Sequence, residues 1–130
     1  MNLNNVVTMC VLDRKFTLAE ANELLPMLRR ISTKHDIAIN RALADQRYLM
    51  KVGAPQKVIT DCDNRVVAEL QSWARKVLKL GVKQFQGGWY GFDCGFGYYS
   101  WTPNEDTIRY FHGYLERPSA RRPIGVMVLK

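Results

Sequence analysis

Histidine is scarce in this 130-residue chain, occurring only as His35 and His112. Two histidines exclude a three-histidine zinc centre, and the His-Glu-x-x-His signature of a helical metalloprotease is missing as well. Cysteine is equally sparse: Cys10, Cys62 and Cys94 are odd in number, far apart, and form no Cys-x-x-Cys pair. That usage fits a reduced protein with incidental thiols and excludes a disulfide framework. No apolar run approaches the roughly 20 residues that span a bilayer, so no membrane partner is expected. The opening sixteen residues lack a basic start followed by a hydrophobic core, so a secretory signal is not expected and the cytoplasm is. Gly87-Gly88 and Gly95-x-Gly97 have neither a nucleotide-fold context nor a terminal Gly-Lys-Ser/Thr, and read as turn glycines. No nucleophile elbow and no Ser-His-Asp order is present. Neither a metal nor a cofactor is expected.

What the chain does have is helical patterning followed by aromatic strands. Thr17 and Glu20 stand at capping-box spacing, with Phe16 placed as a hydrophobic staple. Glu20 and Glu23 complement the positive helix end, which gives them a capping role ahead of a catalytic one. Pro26 lacks an amide hydrogen, and its ring predicts a kink or break near Leu24. Beyond it, Leu28, Ile31, His35, Ala38, Ala42 and Leu49 repeat on one helical face, widened by Ile39, Leu43 and Met50. Val52-Gly53-Ala54-Pro55 ends this helix. A second helix is predicted from Thr60 or Asp61, with Val66, Leu70, Trp73, Val77 and Leu80 on its packing face and Val67 and Ala74 beside them. Gly81 stops it. The short linker makes the pair an antiparallel hairpin. Residues 27 to 51 and 61 to 80 would span about 37 and 30 Å at 1.5 Å per residue. The longer stripe must therefore be covered by the sheet or by a second copy.

After Gly81 the pattern alternates. Trp89 to Asp93, Gly97 to Thr102 and Thr107 to His112 read as strands, joined by turns at Cys94-Gly95-Phe96 and Pro103-Asn104-Glu105-Asp106. On the third strand Ile108, Tyr110 and His112 share one face and Arg109 and Phe111 the other. Val6 to Leu12 and Gly125 to Leu129 are candidate edge strands. The expected class is α+β: a long antiparallel helical hairpin packed against a small antiparallel β-meander. One domain covers 1–130, with an N-terminal extension at 1–15, the hairpin at 16–81 and the sheet and C-terminal loop at 82–130. Large rings fall on both faces of the sheet, so the face away from the helices needs water, a partner or a ligand.

Four residues near the chain's end are the candidate site. His112 carries an imidazole, the side chain best suited to proton transfer or ligation, Glu105 lies in the preceding turn, Glu116 follows four residues later, and Arg121 is stiffened by nearby Pro123. In a structural role His112 is hydrogen-bonded among aromatics and Arg121 pairs with Glu105 or Glu116. In a functional role His112 is acid or base, Arg121 clamps an anion, and Glu105 or Glu116 orients the histidine. His35 falls on the helix packing stripe and reads as a satisfied core or interface histidine.

The motifs also carry a family resemblance. Phe16, Glu20, Ala21, Asn22, Leu24, Leu25 and Pro26 at one end, Leu80-Gly81-Val82 in the middle, and Trp101, Glu105, Ile108, His112, Glu116, Arg121, Pro123 and Ile124 at the other resemble a prokaryotic family catalogued as domain-of-unknown-function 2203. Members often have Gly-Phe and a second glycine between the His and the Arg, where this chain has Arg117-Pro118 and Ala120. The resemblance covers most of residues 16 to 124. It implies an α+β fold with a helical pair and implies no particular activity.

Charge gives the last expectation. Nineteen basic against twelve acidic residues leave +7, and residues 14 to 80 hold thirteen basic and seven acidic groups. Arg29, Arg30, Lys34, Arg41, Arg47 and Lys51 make the hairpin attractive to nucleic acid or an acidic protein, although Asp36, Asp45 and Glu69 interrupt the surface. The sequence thus points to a non-catalytic binding or scaffolding domain that self-associates as a homodimer. The alternative is a small metal-independent enzyme or anionic small-molecule binder built on His112, Arg121 and Glu105 or Glu116.

Overall fold

Thr17 and Glu20 form the capping box that their spacing predicts. In the computed structural model, which describes residues 14–125, the Glu20 amide donates to the Thr17 hydroxyl at 3.1 Å and the Thr17 amide to the Glu20 carboxylate at 2.8 Å. This caps α1, Leu18–Glu23. The chain breaks at Leu24, and α2 runs Leu25–Lys51 with Pro26 in its first turn, where a missing amide forfeits no helical hydrogen bond. Helix α3 spans Gln56–Lys79, earlier than the predicted start at Thr60. The Pro55 carbonyl accepts the amides of Val58 and Ile59, so the proline opens this helix and Thr60 lies within it. With 27 and 24 residues, the helices are closer in length than the sequence suggested. At the other end Gly81, with φ +80°, turns the chain out of the helix.

The residues divide into two compact units, Arg30–Lys76 and the described remainder. The first is an antiparallel hairpin: His35 meets Glu69, Ala42 meets Cys62, Asp45 meets Arg65 and Gln46 meets Asp63. Its interior is small and polar, with Ser32, His35, Ala42 and Cys62 buried. Val67 and Leu70, expected on the packing face, are instead 49% and 43% exposed. Cys62, Asp63, Arg65 and Glu69 make the contacts to α2, which turns those two side chains outward.

The second unit is a five-stranded antiparallel meander in the order β1 to β5: Lys83–Phe85, Trp89–Asp93, Tyr98–Trp101, Tyr110–His112 and Arg122–Pro123. The three expected strands are present, the second and third shorter than predicted. The first and last strands were not expected, because three and two residues are too few to show alternation. One face carries Tyr90, Phe92, Trp101 and Phe111 into the core, where Phe92 meets Phe16 edge-on at 5.3 Å. The Asn22 side chain accepts the Ile108 amide at 3.0 Å and ties α1 to the approach of β4. Register and alternation put Lys83, Phe85, Trp89, Gly91, Tyr98, Ser100, Tyr110 and His112 on the opposite, outward face. The edge strands expected at Val6 to Leu12 and Gly125 to Leu129 lie outside the described residues, Gly125 excepted. No helix among the described residues is long and apolar enough to cross a membrane.

Candidate functional site

His112 ends β4 and is fully buried. Its Nδ1 donates to the Gly113 carbonyl at 3.0 Å, and its ring lies 5.2 Å from that of Phe85 and 5.5 Å from that of Tyr98. Nε2 has no hydrogen-bond partner among the described residues. The aromatics around it are thus Phe85 and Tyr98. Trp101 points through the opposite face of the sheet, where its indole donates to the Glu105 carbonyl at 2.8 Å.

The two carboxylates serve arginines, not the histidine. Glu105 holds Arg121 through two hydrogen bonds, at 2.8 and 2.9 Å. Glu116 accepts from Arg122 at 2.5 Å and from the Gly113 amide at 2.6 Å. Of the four predicted site residues, Glu105 and Arg121 bond to one another, while among the described residues neither His112 nor Glu116 makes a hydrogen bond to that pair. Pairing Arg121 with Glu105 was one of the alternatives read from the sequence.

Around Arg121 the geometry is richer than the sequence disclosed. Its guanidinium carbon lies 4.4 Å from the Trp89 ring centroid and 4.1 Å from that of Tyr110, so two aromatic rings and a carboxylate fix one cation. Glu105 is itself anchored: its amide donates to Thr102, its carboxylate accepts the Thr102 amide, and its carbonyl accepts from Arg29 at 2.9 Å. A polar surface pocket of about 260 Å³, lined by Asn104, Glu105, Asp106, Thr107, Arg109 and Tyr110, adjoins the pair. Trp89 and Tyr110 are far apart in sequence, and only strand register brings both to one guanidinium.

A second polar cluster was also missed. Asp93 accepts from Lys15 at 2.8 Å, from the Tyr114 hydroxyl at 2.6 Å and from the Gly95 amide at 2.9 Å. Burial pushes the Asp93 carboxyl up, but these three donors together hold it below the ordinary aspartate value. The same carboxylate pushes the Tyr114 hydroxyl up to about 12. His35, as read from the sequence, is a satisfied interior histidine. Its Nδ1 meets Glu69 at 2.5 Å and its Nε2 meets the Lys76 ammonium at 3.1 Å. Among the described residues no cluster of three or more His, Cys, Asp or Glu is arranged to hold a metal ion.

A family model described as an uncharacterized conserved protein (DUF2203) matches residues 14–124, and the chain belongs to that family. No curated protein and no solved structure matches it.

Proposed function

We propose that this DUF2203 member binds a small anionic molecule at Arg121, on the outward face of its sheet. The observation behind this reading is the Arg121 guanidinium packed on the rings of Trp89 and Tyr110, with Glu105 taking two of its five N–H donors. Its other three donors have no hydrogen-bond partner among the described residues, on a group whose rotamer is already fixed. A carboxylate or phosphate arriving there orders less side chain than it would on a free surface arginine. Lys83 supplies a second cation on the same face, its ammonium lying 5.4 Å from the Tyr98 ring centroid. Catalysis is not part of the proposal: His112 is fully buried, and its one hydrogen bond among the described residues is to the Gly113 carbonyl. The test is isothermal titration with benzoate, acetate and inorganic phosphate. At least one should bind, and Arg121→Ala should weaken it by about tenfold or more. Failure of all three at millimolar concentration, or undiminished binding to the variant, contradicts the reading.

A second reading, self-association in the cytoplasm through the hairpin, is favoured by Val67, Leu70 and Met50, which are 49%, 43% and 62% exposed. Val67 and Leu70 are neighbours on α3 at helical spacing, and large apolar side chains grouped on a surface mark association sites. The exposed Arg30, Lys34, Arg41, Arg47 and Lys51 of α2 would suit nucleic acid or an acidic protein at the same hairpin. Light scattering should report about twice 15.0 kDa, reverting to a monomer in Leu70→Lys. A wild-type monomer at high concentration removes this reading.

A further inference from the structure

Ser100 and His112 lie on adjacent strands of the outward face, and each has a buried polar atom without a hydrogen-bond partner among the described residues: Ser100 Oγ and His112 Nε2. Such orphaned groups are uncommon in folded proteins and call for an explanation. Gly113 accepts the Nδ1 proton of His112, which leaves Nε2 as a bare lone pair in a ring that cannot turn without losing that bond. The Ser100 hydroxyl, one register step away, is a donor with nothing to donate to.

Beside them the face is hollow at Gly91, and the Phe85 ring lies over it. Gly91 pairs with Ser100, which pairs with Tyr110, so the two smallest side chains of this face sit side by side in its middle. Phe85 fills the hollow. A Cβ added at Gly91 would fall 2.6 Å from Phe85 Cε2 and 3.2 Å from Tyr98 Cδ1. The Phe85 ring makes edge contacts with Tyr98 at 5.3 Å and with His112 at 5.2 Å. Yet Phe85 itself is only half-buried, and it ends a three-residue edge strand joined to β2 through Gly87 and Gly88 at φ +91° and +85°. The ring thus hangs from an edge strand, and its rotation about Cα–Cβ would leave the pairing of β2, β3 and β4 intact.

We infer that Phe85 is a plug, and that the cup beneath it takes a six-membered lactam ring whose anionic substituent is held at Arg121. Each part of the ligand follows from a part of the site. A flat ring of six atoms replaces the phenyl ring and inherits its contacts with Tyr98 and His112. A lactam edge offers a carbonyl to the Ser100 hydroxyl and an N–H to His112 Nε2, which satisfies both orphans at once. The anionic group meets Arg121, which packs on Tyr110, the cross-strand neighbour of Ser100, and on Trp89, two residues from Gly91. This inference rests on the anion reading of Arg121, and its test separates the two.

The probe is orotate, a lactam carboxylate, titrated into the full chain beside uracil, which lacks the anion, and benzoate, which lacks the lactam. Orotate should bind about tenfold or more tightly than either. Ser100→Ala should weaken orotate and leave benzoate unchanged, and Phe85→Ala should tighten orotate because no plug is then displaced. An ¹⁵N spectrum of the wild-type chain supplies a readout that needs no variant: orotate should move the His112 Nε2 signal and benzoate should not. Equal affinity for orotate and benzoate, with His112 Nε2 unmoved, overturns the lactam cup and leaves the Arg121 anion site standing. No binding of either carboxylate overturns the lactam cup, and no binding of acetate or phosphate besides overturns both.

Discussion

Arg121 and Glu105 form a two-toothed ion pair, at 2.8 and 2.9 Å, with both side chains about four-fifths buried: 19% and 21% of their side-chain surface is exposed. The pair links the segment before β5 to the turn that follows β3. It is also the point where the proposed ligand site and the stability of the sheet meet. Removing one partner leaves the other part-buried and unpaired, a larger loss than removing both. Arg121→Ala and Glu105→Ala should each destabilise the protein by about 1–3 kcal/mol, with a coupling of about 1–2 kcal/mol in the double-mutant cycle. Denaturant unfolding of the four proteins measures this. Strict additivity would mean that the pair contributes nothing beyond its separate side chains.

The Asp93 cluster predicts two pH limits. Asp93 is held below its ordinary value in the folded state, so its contribution is complete above the unfolded aspartate range and is lost as pH falls through the lower folded value. Tyr114 is shifted the other way. Its contribution is complete below the unfolded tyrosine value near 10 and is lost as pH rises towards about 12. Asp93→Asn should therefore flatten the acid limb of a stability–pH curve. Ultraviolet titration should show a tyrosine titrating towards about 12 that disappears in Tyr114→Phe, while Tyr99, raised by burial, stays. A tyrosine titration unchanged by that substitution would break the assignment.

These two clusters show what was legible in the chain and what was not. Thr17–Glu20, the break at Leu24 and the Trp89–Asp93 strand each depend on residues within a few positions, and local chemistry decides them. The start of α3 lies before Thr60 because Pro55 opens the helix, and a proline at that place reads equally well as the end of the helix before it. The rotation of α3 escaped for a different reason. Apolar periodicity favours Val67 and Leu70 as inward residues, yet the hairpin seam is built from Glu69, Asp63 and Lys76 in polar pairs with α2. Within the site, the Arg121–Glu105 pair could be read as an alternative. The packing of Arg121 on two rings and the Asp93–Tyr114 bond depend on strand register across many residues, which composition and spacing do not encode.

The polar seam of the hairpin gives a further prediction. His35 is almost wholly buried between the Glu69 carboxylate and the Lys76 ammonium. His35→Ala opens a cavity and strips both charged groups of their partner, and should cost about 2–4 kcal/mol. Glu69→Gln keeps a hydrogen bond and should cost less. Thermal unfolding ranks the two, and a larger loss for Glu69→Gln would show that charge, not filled volume and bonding, dominates at His35.

Anion binding at Arg121 is tested most directly by an ¹⁵N chemical-shift titration of the assigned chain with benzoate at constant ionic strength. The largest saturable shifts should fall on Arg121 Nε, Trp89 Nε1 and the backbone around Glu105 and Tyr110, all fitting one dissociation constant. Shifts spread over Arg30, Lys34, Arg41 and Arg47 without saturation, with Arg121 unmoved, would contradict the anion site.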